Sequence, residues 1–104
     1  MTEHPAPEHL SSDMKTWWAQ VHRDWEMDPH HRYLLQLACE AWDECQTARK
    51  AREENGLSYT DRFGQPKLRP EVQVEQNAAI RFARLVRELQ LDRAPDTSPP
   101  PRLY

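Results

Sequence analysis

Leu57-Ser58-Tyr59-Thr60-Asp61-Arg62-Phe63-Gly64-Gln65-Pro66-Lys67-Leu68-Arg69-Pro70-Glu71 lies between two strongly helical segments and reads as a short hairpin that leads into a third helix. The hairpin, 57–69, sets Arg62, Lys67 and Arg69 against Asp61 and is locally basic, whereas the whole chain carries a formal charge of −3. Its turn belongs at Phe63-Gly64, where glycine relieves a backbone that other residues strain. Asn55-Gly56 upstream reads as a helix stop rather than a second hairpin turn. Ala48 to Glu54, which lead into it, are strong helix formers without two-residue alternation.

The segment before the hairpin holds two helices. Ser11-Ser12-Asp13 offers N-cap side chains, and Met14, Trp18, Val21 and Trp25 line one face of a first helix over about 12–27. Asp28-Pro29 supplies a cap acceptor and a proline at the first helical position, which opens a second helix over about 29–55. Leu34, Ala38, Ala41, Cys45 and Ala48 form its apolar stripe, widened by Leu35 and Trp42. The two helices, joined by a tight turn, are predicted to pair antiparallel. After the hairpin, Pro70-Glu71 opens a third helix over about 70–90, with Ala78, Phe82, Leu85 and Leu89 on its apolar arc and Arg81, Arg84 and Arg87 opposite. The fold class is mainly α: an antiparallel helix pair, a short β-hairpin, a third C-terminal helix and disordered tails. Residues 1–10 and 92–104, rich in proline and charge, are expected to be flexible, with one helical domain over 11–91.

At 104 residues and 38% hydrophobic content the chain buries a small core, which oligomerisation would enlarge. No run of about 18 apolar residues is present, and Met1-Thr2-Glu3-His4-Pro5 has neither a basic start nor an apolar stretch, so neither a membrane span nor a signal peptide is predicted. Cys39 and Cys45 fall on one helix, about 9 Å apart along its axis, and are expected to be buried thiols.

Two glycines exclude a P-loop, a dinucleotide fingerprint and a Gly-x-Ser-x-Gly elbow. His22, His30, His31, Cys39, Cys45 and Asp43 lack zinc spacing, so no metal and no cofactor are expected. Glu40, Asp43 and Glu44, like Glu53 and Glu54, read as the wet face of a long helix, and no catalytic residue is assigned. Arg81, Arg84 and Arg87 draw a slanting ridge suited to phosphates, which Arg62, Lys67 and Arg69 extend. Three tryptophans fit buried stripes. Trp17 stands about 100° off the Trp18 face and is assigned to a contact between subunits.

The order of elements resembles the small terminase subunits of tailed bacteriophages. The resemblance rests on His9-Leu10-Ser11 with Met14 and Trp17-Trp18; Leu34-Leu35 with the run Leu37 to Asp43; Gly56-Leu57 with Tyr59-Thr60 and Gly64-Gln65-Pro66; and Arg84-Leu85 with Glu88-Leu89. Leu89-Gln90-Leu91 departs from it, since such proteins often have glycine between the leucines. The resemblance implies a non-enzymatic packaging factor in the cytoplasm of the infected bacterial host. As a ring-like homo-oligomer, it would engage double-stranded viral DNA and load or regulate the large ATPase and nuclease subunit. The extended tail, with Pro99, Pro100, Pro101, Arg102, Leu103 and Tyr104, becomes the strip for large-subunit docking. Two other readings stay open. One is a helix-turn-helix transcription regulator with the second helix in the major groove; the other is a protein-interaction adaptor that uses Trp17 and touches no nucleic acid.

Overall fold

In a computed structural model that describes residues 4–91, three helices surround one apolar seam, and a two-stranded ribbon projects from one end. The elements are α1 (Ser12–Asp24), α2 (Pro29–Asn55), β1 (Ser58–Thr60), β2 (Pro66–Leu68) and α3 (Pro70–Glu88). The architecture is mainly helical with one antiparallel hairpin, the fold class that the sequence predicts.

Local chemistry sets most boundaries. Ser11 caps α1, its hydroxyl accepting from Met14 N–H at 3.2 Å. At the α2 start, Asp28 N–H donates to His31 Nδ1 at 3.2 Å, a histidine standing where a capping box usually has Glu or Gln. Gly56, at φ 84°, stops α2 in a conformation that side chains resist. α1 ends at Asp24, three residues before the expected Met27, because Trp25 turns extended and leaves the helix. α3 ends in a Schellman motif: Leu91 N–H reaches Val86 C=O and Gln90 N–H reaches Arg87 C=O. Gln90 thereby takes φ 60°, the left-handed position that glycine fills most easily.

α3 lies antiparallel along α2. The pairs Arg52–Glu75, Glu44–Arg81 and Trp42–Phe82 show the opposed numbering. Small side chains on α2 (Ala38, Ala41, Cys45, Ala48) are buried and let α3 approach, where Ala78 is likewise buried. α1 runs antiparallel to the first half of α2, and Met14, Trp18 and Val21 close the core with Leu35, Cys39 and Leu89. Residues 4–10, expected to be a free tail, instead pack against this core. Leu10 is only 4% exposed, and His4 C=O accepts from Trp18 Nε1 at 2.8 Å. One leucine and one carbonyl thus anchor a segment whose prolines and charges suggest disorder.

The ribbon pairs Ser58 with Leu68, Tyr59 with Lys67 and Thr60 with Pro66. Every strand residue is exposed on both faces.

Candidate functional site

The ribbon tip is built by Asp61. Its carboxylate accepts from Phe63 N–H and Gln65 N–H, both at 2.9 Å, while Gly64 at φ 78° closes the turn. Arg62 lies over the Phe63 ring, 4.9 Å from its centroid, and Arg69 lies 5.8 Å from the Tyr59 centroid. Tyr59, Lys67 and Arg69 share one face by strand parity, Ser58, Thr60, Pro66 and Leu68 the other. The ribbon therefore presents Arg62, Phe63 and Lys67 to open water, while Arg69 at its base is half-buried and its Nε is shielded. Asp61 is the organising residue that sequence reasoning counted only as a charge; an Asx side chain two residues before the turn glycine's neighbour was the available signal.

The six cations assigned to DNA do not form one cluster. Arg62, Lys67 and Arg69 sit on the ribbon and at the start of α3, whereas Arg84 and Arg87 lie about 22 to 27 Å further along that helix. Arg81 is committed elsewhere, its Nη2 donating to Glu44 Oε2 at 2.7 Å. Arg84 and Arg87 are exposed and, among the described residues, have no ion-pair partner within 4 Å. The acidic residues of α2 are less idle than a wet face implies. Asp43 accepts from Ser11 N–H at 2.8 Å and Ser11 Oγ–H at 2.6 Å, Glu40 meets His9 at 2.7 Å, and Glu44 holds Arg81.

Glu75 of α3 takes Arg52 Nε at 2.6 Å and Arg49 Nε at 3.3 Å. The hydrogen bond from Arg52, with help from Arg49, holds its carboxyl below the usual glutamate range. Cys39 and Cys45 are free and buried. Burial, then the charges of Asp43 and Glu40, pushes the Cys39 thiol up to about 12, the state of an inert core cysteine. At the start of α2, Asp28, His30 and His31 each bring a ligand atom within 4.8 Å of the others, so these are the described residues that could hold a metal. They are water-facing, and His31 Nδ1 already accepts the cap bond.

Trp17 is half-buried, not freely exposed. Its ring meets Phe82 of α3 at 5.7 Å and forms one wall of a groove of about 530 Å³ between α1 and α3. Met14, Val21, Trp25, Trp42, Phe82, Val86 and Leu91 complete the apolar lining, and Asp24 is the one charged side chain among the described residues there. Arg32, the fixed cation that a helix-turn-helix reading would send into a groove of DNA, donates instead to Met27 C=O at 2.8 Å within the turn. The proposed docking strip Pro99–Tyr104 lies outside the described residues. No helix among the described residues is long and apolar enough to cross a membrane.

A mainly helical body that projects a basic ribbon and carries an aromatic groove among the described residues places the chain in the class of small helical domains with one hairpin. Within that class, residues 15–96 match the family of phage terminase small subunits, and the chain belongs to that family. Membership places it in the phage packaging apparatus, among components that are in general non-catalytic and that associate with DNA and a large subunit. No curated protein and no solved structure matches it.

Proposed function

We propose that the chain is a homo-oligomeric, non-enzymatic subunit that engages double-stranded viral DNA and brings it to the large ATPase and nuclease subunit in the infected host cell. The observation that carries this reading is the basic ribbon: a member of this family at net −3 keeps Lys67 and the half-buried Arg69 on one face of its hairpin, and neither has an ion-pair partner among the described residues. Arg84 and Arg87 form a second contact zone, and Arg81 leaves the set because Glu44 holds it. The five cations that remain on one subunit bind a duplex weakly. Repeated around an assembly they form a belt of positive potential that overcomes the acidic remainder.

Duplex binding measured over a range of salt tests this. Each phosphate contact contributes about −0.9 to the slope of log affinity against log salt. Lys67→Ala with Arg69→Ala should flatten the slope by roughly 1.8 per engaged subunit and weaken binding to all sequences alike. A double variant with unchanged slope and affinity shows that the ribbon is not the DNA surface.

A further inference from the structure

The ribbon tip and the α1/α3 groove are chemically matched and lie apart on the chain. Phe63 is 73% exposed at the tip, an uncommon cost for a large aromatic side chain on a soluble surface. Arg62 rides on its ring, so a ring and a guanidinium are offered together. The groove offers the complement: aromatic walls from Trp17, Trp25, Trp42 and Phe82, with Asp24 at hand for the cation. Its volume of about 530 Å³ is ample for one ring and an arginine stem.

The tip cannot fill the groove of its own chain as folded. The groove residues Phe82 and Val86 lie about 20 to 26 Å along α3 from Arg69 at the ribbon base, and Phe63 stands free in water. We propose that Arg62 and Phe63 of one chain dock into the α1/α3 groove of a second copy, Phe63 between the aromatic walls and Arg62 against Asp24. This rests on the self-association proposed above and names its two surfaces. Donor and acceptor are different patches, so the contact is heterologous, the kind that generates a ring when the rotation closes. The Asp61 hydrogen bonds hold the tip in shape before docking, which lowers the ordering cost of the contact. Trp17, half-covered in the single chain, becomes buried between subunits. Arg62 then belongs to the interface, leaving Lys67 and Arg69 for DNA.

The test is native mass by sedimentation over a concentration series, with circular dichroism to confirm that each variant is folded. Five chains are compared: wild type, Phe63→Glu, Arg62→Asp, Asp24→Arg, and Arg62→Asp with Asp24→Arg together. Both reversed residues are exposed, so neither exchange disturbs the core. Phe63→Glu should raise the concentration for half-assembly by roughly thirtyfold or more, the loss expected for an aromatic anchor. Each charge reversal should weaken assembly, and the pair should restore it. A monomeric wild type overturns the self-association reading itself. An oligomeric wild type whose mass Phe63→Glu leaves unchanged overturns only the tip-to-groove assignment. So does dissociation by Phe63→Glu without rescue by the paired reversal, which would send the tip to another surface.

Discussion

Asp43→Ala should loosen α1 from the body. The carboxylate of Asp43 accepts from both the N–H and the hydroxyl of Ser11, at 2.8 and 2.6 Å, so a side chain of α2 fixes the residue that caps α1. Hydrogen bonds to a charged group contribute about 1.5 to 3 kcal/mol each, and the exposure of Ser11 puts this pair at or below the lower end. Their joint loss costs about 2 kcal/mol. For a domain of this size each kcal/mol moves the melting temperature by about 4 to 8 °C, so Asp43→Ala should melt about 8 to 16 °C below wild type. Asp43→Asn keeps a carbonyl acceptor for one of the two donors and should lose about half as much. The assay is thermal unfolding followed by tryptophan fluorescence at one fixed protein concentration, since assembly would otherwise shift the midpoint. A double-mutant cycle with Ser11→Ala should show coupling of about 1 kcal/mol. If Asp43→Ala melts within about 3 °C of wild type, or its effect simply adds to that of Ser11→Ala, Asp43 does not act through the cap.

Gln90→Gly should stabilise the chain, because Gln90 holds φ 60° at the α3 terminus, where a side chain costs about 1 kcal/mol. A melting temperature raised by about 4 to 8 °C supports this, and an unchanged one removes the strain argument. Glu75 makes one contribution to acid stability. Its folded pKa lies below the unfolded one, so its contribution is complete above about pH 4.3, the ordinary glutamate value, and is lost as pH falls through the lower folded value. Glu75→Gln should therefore be less stable than wild type at pH 7, and the difference should shrink toward zero in acid; a gap independent of pH would show that the Arg52 and Arg49 contacts carry no ionic contribution.

Several elements are legible in the sequence because their causes are local. Asp28-Pro29, Asn55-Gly56, Phe63-Gly64 and Pro70 each act on the backbone of one or two residues, through a missing N–H, a cap acceptor or tolerance of positive φ. The stripe of Ala38, Ala41, Cys45 and Ala48 shows equally well that α2 buries a face of small side chains. What that periodicity leaves open is which helix covers it, and the answer is chiefly α3, held by Arg52–Glu75 and Glu44–Arg81.

The same limit applies to the site. Arg81, Arg84 and Arg87 step by about 60° around α3, and the wheel puts Arg81 nearest the apolar arc without showing that Glu44, 37 positions away on the neighbouring helix, meets it. Leu10 in a run of prolines and charges, Asp43 on an acidic face and Trp17 beside polar residues all took their roles from what packs against them. By itself the sequence determined the helices, their caps, the hairpin turn and its basic charge, since a residue's own backbone preferences set these. The tertiary structure decided which charges are bound and which are free, and which aromatic rings form a groove, because those depend on partners that only helix packing brings together.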